Sequence, residues 1–289
     1  MKSEALEAVT YESAGRFLDA AGDWLEHRES TNNLMLGLAA RLAGETSPAD
    51  PAPVLLTVAG GGGLAGALLM TPPRNVVLYA PGPNAGEAMA ALVEALLAGG
   101  HSTPGCVGPS EVSEAFARIW SDRTGQPVKL KMSQRIYELR EVTYSREAPG
   151  GARLAEPGDL DLVADWWHRF ATEVHLPEDV SNVRTSAGRL ISAGRLLLWQ
   201  DNGRVVSMAG ACRATRHGMS IGPVYTPPEH RGRGYASACV AVMTQRQLDA
   251  GRQFCCLYTD LANPTSNSIY LKMGYKPVAD SRHYDFVGS

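Results

Sequence analysis

Val224-Tyr-Thr-Pro-Pro-Glu-His-Arg-Gly-Arg-Gly-Tyr-Ala-Ser237 is the stretch on which the reading of this chain turns. An apolar run ends at two prolines, which cannot continue a strand's hydrogen-bond ladder. A basic, glycine-rich loop follows and leads into a helix. Backbone N–H groups at a helix start have no intrahelical partner, and the helix dipole favours negative charge there. Gly232 and Gly234 permit turn conformations closed to other residues and let a ligand approach the backbone. Arg231 and Arg233 add charge-assisted hydrogen bonds. The segment therefore reads as a site for a phosphate-bearing ligand.

A second segment lies downstream. Asn263-Pro-Thr-Ser-Asn-Ser-Ile-Tyr270-Leu-Lys-Met-Gly274-Tyr275 reads as a helix with a proline in its first turn and a stop at Gly274. Around these two segments the second half alternates between elements. Residues 157–175 carry apolar positions at helical spacing. Strands are expected over 195–200 and 205–214, joined by the hairpin turn Asp201-Asn-Gly203. A third strand covers 220–225, a helix 234–251, a strand 254–258, and two closing strands 275–278 and 283–287. Strands and helices without strict alternation indicate a mixed layer fold.

Both segments resemble the acyl-CoA motifs of the GNAT acetyltransferase superfamily, and the resemblance runs from roughly Ala152 to Asp285. Arg231-Gly-Arg-Gly234-Tyr-Ala236 is similar to the family's R/Q-x-x-G-x-G/A signature, which implies that Arg231, Gly232, Arg233, Gly234, Tyr235, Ala236 and Ser237 hold the pyrophosphate of coenzyme A. Val224, Tyr225 and Thr226 resemble the splayed strand whose backbone pairs with the pantetheine arm. The second segment is similar to the run N-x-x-A-x-x-x-Y-x-x-x-G-F. That implies a cofactor contact at Asn263 and a catalytic role for Tyr270, as the group that gives a proton or hydrogen bond to the leaving thiolate. Ser266 and Tyr275 depart mildly from the pattern. Tyr258 departs more, standing where many relatives carry a glutamate base. Glu229, His217, Asp260 and Glu173 are the remaining candidates for that base. The implied co-substrate is acetyl-CoA, the implied acceptor an amine, and no metal is expected.

The first half repeats the order of elements weakly. Val54–Val58 and Ala67–Met70 flank a glycine turn, and Leu78-Tyr-Ala-Pro81 can be laid over Val224-Tyr-Thr-Pro227. A helix follows each, and strands are expected over 128–132 and 136–139. The expected fold class is α/β with a mixed α+β sheet: two GNAT-like domains, each a mixed, mostly antiparallel sheet flanked by helices. A duplication accounts for the repeat. The boundary is placed in Arg146-Glu-Ala-Pro-Gly-Gly-Ala152, giving a degenerate domain over 1–147 and a cofactor-binding domain over 152–289. The first copy has Pro81-Gly-Pro-Asn-Ala-Gly-Glu87 in place of the basic loop, with no arginine and a repelling glutamate. Gly61-Gly-Gly-Leu-Ala-Gly66 fits G-x-G-x-x-G, but strand-like residues follow it where a dinucleotide site needs a helix. It reads as a hairpin turn. Asn32, Asn33 and Arg41, on or near an early helix, are candidates to line an acceptor pocket, with surface solvation the role expected of them.

Composition narrows the function classes. The chain has 289 residues, net charge −3, 44% hydrophobic and 20% charged residues. No overall basic balance points to nucleic acid. The five cysteines include no C-x-x-C pair, which argues against a disulfide framework or a zinc site. No apolar run is long enough for a membrane span. The polar, acidic start is unlike a signal peptide. A cytoplasmic protein is expected, with a homodimer compatible. The reading that follows is an N-acetyltransferase acting on a primary amine of a small molecule or peptide. The alternatives are an acyltransferase of the mycothiol-synthase kind and a non-catalytic acyl-CoA sensor.

Overall fold

The computed structural model describes residues 6–45, 51–143, 148–174 and 180–288. The chain divides into two compact units, Met1–Ile136 with Tyr258–Asn263 and Pro277–Ser289, and Tyr137–Leu257 with Pro264–Lys276. Its elements run in two parallel series. The first is β1 (Glu7–Thr10), α1 (Ala14–Glu26), α2 (Asn33–Gly44), β2 (Val54–Gly60), β3 (Gly63–Met70), β4 (Val76–Tyr79), α3 (Ala85–Ala98), β5 (Gly105–Pro109), α4 (Ser110–Thr124) and β6 (Val128–Leu139). The second is β7 (Gly151–Leu154), α5 (Leu160–Glu173), α6 (Val180–Ser192), β8 (Leu196–Asp201), β9 (Arg204–Ala214), β10 (Gly218–Tyr225), α7 (Tyr235–Asp249), β11 (Phe254–Asp260), α8 (Pro264–Lys272) and β12 (Lys276–Phe286). The order of types is the same in both, as a duplication requires.

The first unit sandwiches a mixed sheet between helices. Side chains on a strand alternate between faces. Leu55, Leu69 and Val77 accordingly pack with Phe17, Leu25 and Met35 of α1 and α2. Their neighbours Leu56, Leu68 and Leu78 pack on the opposite face with Leu92, Val93 and Phe116 of α3 and α4. The β2–β3 register runs from Val54↔Met70 to Gly60↔Gly63, so Gly61 and Gly62 are a hairpin turn, as expected. β4 and β5 pair in parallel at Val76↔Cys106 and Val77↔Val107.

The second unit repeats this arrangement. Leu196, Leu198 and Met208 face Val163, Trp166 and Ala187 of α5 and α6. Leu197, Trp199 and Ala209 face Tyr235, Cys239 and Met243 of α7. Asn202 and Gly203 take φ of 48° and 76°, the geometry of the two-residue hairpin turn expected there.

Several expectations need revision. β6 and β12 are each one continuous strand where two short ones were expected. Helix α6 had no counterpart in the sequence reading. The two units interleave in sequence, with Tyr258–Asn263 and Pro277–Ser289 in the first, and part of the expected boundary at residues 147–152 lies outside the described residues. Tyr284 and Phe286 of β12 join the first unit's core, with the Phe286 ring 5.7 Å from Trp120. Tyr137 and Leu139 of β6 join the second unit's core. A long-range strand pairing carries each segment into the unit that buries its apolar face. The expected end of the first helix of the second half, His175, also lies outside the described residues.

Candidate acyl-CoA site

The second unit brings the basic, glycine-rich loop and the strand before it together. β10 pairs in parallel with β11 only at Gly218↔Phe254, Met219↔Cys255 and Ser220↔Cys256. Its later residues pair on the other side with β9, at Val224↔Ala209 and Tyr225↔Met208. Alternate amides of a strand point to opposite edges, so this part of β10 presents backbone groups on the edge that β11 does not cover.

The loop after β10 is tied down from within. Pro228–His230 form a short 3-10 turn and expose Glu229. Gly232 and Gly234 adopt φ of +79° and +87°, the left-handed region that glycine tolerates best. Gly234 is the N-cap of α7; no side chain caps the helix, and no acidic residue lies in its first turn. The leading amides of α7, from Tyr235, Ala236 and Ser237, thus form an unneutralised positive helix end. Tyr235 is buried, and its hydroxyl donates to Asp201 Oδ2 at 2.6 Å. The same hydroxyl also interacts with the Arg233 side chain of the loop. Ser237 is also buried, and Arg233 is exposed.

Arg231 has a more specific setting than a solvated cation. Its Nε donates to the Thr226 carbonyl at 2.8 Å, and its Nη2 reaches both oxygens of Glu173 at 2.8 Å. The guanidinium also lies 5.8 Å from the centroid of the Tyr225 ring. The Tyr225 hydroxyl donates to Glu173 at 3.4 Å, and burial, then the Glu173 charge, raises the pKa of this phenol. Ser207 Oγ donates to the Tyr225 carbonyl and lies 2.8 Å from Thr226 Oγ1. Strand end, loop and α5 are therefore one bonded cluster.

Tyr270 stands on α8 in the same unit, half-buried against the second unit's core. Its ring is 5.8 Å from Tyr275 and 6.5 Å from Tyr137. Its hydroxyl has no hydrogen-bond partner among the described residues. Burial pushes its pKa up to about 12. Val224 packs beside the same core. Asn263 falls in the segment grouped with the first unit, where its N–H donates to the Asp260 carbonyl at 3.0 Å.

The candidates for a base differ in availability. Glu173 is engaged by Arg231, and Asp260 Oδ1 accepts the Ala262 N–H at 2.8 Å. The backbone carbonyl of His217 accepts the Gln253 N–H at 2.8 Å, and its side chain is half-buried. Tyr258 lies in the first unit, where its hydroxyl receives Asn33 Nδ2 at 3.1 Å. Asn33 and Asn32 are 1% and 4% exposed, which corrects the expectation that they are solvated. Their amides satisfy the backbone between α1 and α2, at the carbonyls of Ser30 and Leu25. No periodicity signals this, because the two residues sit at a helix start. Arg41 is exposed and pairs with Glu45. Next to Asn32, Leu78 and Tyr258 lies a cavity of about 20 Å3, room for about one water. Among the described residues, no group of three or more His, Cys, Asp or Glu side chains could hold a metal ion. No helix of the described residues is long and apolar enough to cross a membrane.

Comparisons with known proteins bear on the whole chain. Residues 200–284 match the family model of FR47-like proteins, which spans β9 to β12 and the loop just described. No curated protein matches. A GNAT-family acetyltransferase structure from Colwellia psychrerythraea superposes with a TM-score of 0.61 at 12% identity, covering 97% of this chain and 99% of that one. A GCN5-related N-acetyltransferase from Sphaerobacter thermophilus gives 0.60 at 15%, covering 99% and 97%. A tandem GNAT protein from the clavulanic acid biosynthesis pathway gives 0.55 at 14%, covering 96% and 97%. At these identities the likeness is one of fold, and it extends over both copies. This chain is a tandem GNAT-fold protein, with its FR47-like match in the second copy.

Proposed function

We propose that the protein is an N-acetyltransferase that moves an acetyl group from acetyl-CoA to a primary amine of a small molecule or peptide. The observation that carries this reading is the uncapped start of α7, with Gly232 and Gly234 at positive φ and no acidic side chain in the first turn. That end suits a pyrophosphate, which would take the amides of Arg231 to Ser237 and the Arg233 guanidinium. Val224, Tyr225 and Thr226 would line the pantetheine arm. The first copy offers no such end, since Glu87 lies in the first turn of α3.

Acetyl-CoA supplies an activated thioester, whose acyl carbon gains a bond to the amine nitrogen as its bond to sulfur breaks. The chain's own groups act around that exchange. An amide on the free edge of β10 stabilises the oxygen as it gains charge. The hydroxyl of Tyr270 donates a hydrogen bond to the departing sulfur. A lysine-like amine is neutral in only roughly one molecule per thousand at pH 7, so its proton must be removed or suppressed on binding. With Tyr258 at the family's glutamate position and Glu173 engaged, water is the proton acceptor this reading favours.

The test is calorimetric titration of acetyl-CoA into the wild type and the Arg233→Ala variant, followed by thiol release with a panel of amines. One site per chain, weakened in the variant, together with amine-dependent thiol release, is the expected result. Absence of binding overturns the reading. Binding without release to any amine favours the acyl-CoA sensor, and release with a cysteinyl acceptor favours the mycothiol-synthase kind.

A further inference from the structure

At the far end of α7 the second unit opens into a cleft of about 800 Å3, and this cleft has no part in the acyl-transfer reading. Helix α7 has 15 residues, so its two ends lie about 22 Å apart. The cleft is lined by its last turns, by β7 and by the start of β8. Its floor is apolar, with Leu154, Leu197 and Met219. Its walls carry Arg153, Arg195, Arg246 and Arg252.

The four cations are not equivalent. Arg153 is neutralised by a two-pronged pair with Asp159, at 2.6 and 2.8 Å. Arg252 is fixed in place by the carbonyls of Thr215 and Arg216, which satisfy hydrogen bonds but carry no compensating charge. Arg195 is half-buried and Arg246 exposed, and neither guanidinium has a partner among the described residues. The one acid in the lining, Asp249, is engaged by Gln245 at 2.7 Å. A net positive cleft on a chain of net charge −3 runs against the overall balance.

The duplication supplies an internal control. His101 N–H bonds to the Leu96 carbonyl after α3, and Arg252 N–H bonds to the Gln247 carbonyl after α7. Aligning these matching bonds sets Ala95 against Arg246 and His101 against Arg252. Val9, third in β1, stands against Arg153, third in β7. The fold therefore does not require the arginines, which belong to the second copy alone.

We propose that this cleft is a second ligand site, for a small molecule that joins a phosphate to a flat apolar body, in the manner of a nucleoside phosphate. Guanidinium forks match phosphate oxygens in pairs, and converging arginines suit a dianion better than a single carboxylate. The apolar floor and the volume, within the usual range for small-molecule sites, accommodate a body far larger than phosphate alone.

The test uses AMP and inorganic phosphate as probes on the full chain, by calorimetry, with and without saturating coenzyme A. AMP is expected to bind once per chain in both conditions, and more tightly than phosphate. The Arg195→Ala/Arg246→Ala variant, with its fold checked by circular dichroism, is expected to lose roughly tenfold or more in AMP affinity, the scale of a charged hydrogen bond. Its affinity for acetyl-CoA should not change. AMP binding that is equal in the variant overturns the site. AMP binding no tighter than phosphate removes the nucleoside part of the proposal. Because the AMP titration runs without coenzyme A as well, failure of the acetyl-CoA reading would leave this result interpretable.

Discussion

Arg231 Nη2 lies 2.8 Å from both carboxylate oxygens of Glu173, so the last turn of α5 grips the loop that precedes α7. Both side chains are nearly half exposed, at 47% and 44%, and such a pair contributes within about 1 kcal/mol to stability. Its consequence lies in geometry. Arg231 also holds the Thr226 carbonyl at 2.8 Å, so the grip fixes the junction between β10 and the loop. Glu173→Gln is expected to shift the melting temperature by no more than a few degrees and to raise the acetyl-CoA Kd by roughly threefold to fivefold. If Glu173 were the base, the same change would collapse kcat and leave Kd alone. Titration alongside steady-state kinetics separates the two roles.

Tyr270 is expected to act as a hydrogen-bond donor that stays neutral throughout the working pH range. Burial pushes its pKa up to about 12. Full proton transfer to a thiolate with a pKa of about 8.5 would be uphill by roughly 5 kcal/mol, so it cannot be the main route. Tyr270→Phe is expected to lower kcat by about 10-fold to 100-fold, not to abolish it, with the acetyl-CoA Kd nearly unchanged. The pH–rate profile should keep its shape below pH ~10, since no Tyr270 ionisation falls there. A lost alkaline limb in the variant would assign Tyr270 an ionising role and contradict this account.

The parts legible in the sequence were those whose signals are local. Asp201-Asn-Gly203 fixes a hairpin through its own backbone preference, and both central residues take positive φ. The strand–loop–helix of residues 224–237 is legible because proline, glycine and arginine each have a positional reason there. β12 reads as two strands because Lys276-Pro-Val-Ala-Asp-Ser-Arg lacks apolar alternation. It is held by its ladder with β5, from Ser281↔Pro109 to Asp285↔Gly105, and no local rule encodes so distant a partner. The contact between Arg231 and Glu173 spans 58 positions and was hidden for the same reason. Glu173, one of the candidate bases, is held by Arg231 across that distance.

Buried thiols are expected to govern alkaline stability. Burial pushes Cys239 and Cys255 up to about 12, and Cys106 and Cys256 higher still. An unfolded thiol titrates near ~8.5. Between those values the folded state holds protons that the unfolded state has lost, so stability is complete below about pH 8.5 and falls as pH rises. Each such thiol withdraws up to about 1.4 kcal/mol per pH unit in that window. Urea midpoints measured from pH 7.5 to 10.5 should fall with increasing slope, less steeply in Cys239→Ala relative to its own value at pH 7.5. A thiol reagent applied to the native protein should label Cys212 first, the one cysteine that is not fully buried. A flat stability profile would refute the assignment.

Gly232 separates backbone conformation from side-chain bulk at the glycine-rich loop before α7. A Cβ there would meet nothing within 4 Å, so steric crowding is not the obstacle. The obstacle is φ of +79°, which costs an ordinary L-residue about 1–2 kcal/mol and asparagine less. Because the loop is exposed, an alanine can relieve that strain by moving the backbone, and the amides before α7 then lose their common orientation. Gly232→Ala is therefore expected to weaken acetyl-CoA binding by about 10-fold, with a loss in melting temperature of no more than a few degrees. Gly232→Asn should recover much of the affinity despite its larger side chain, because asparagine visits the left-handed region. Equal losses in both variants would mean that side-chain volume, not backbone conformation, limits binding at this loop.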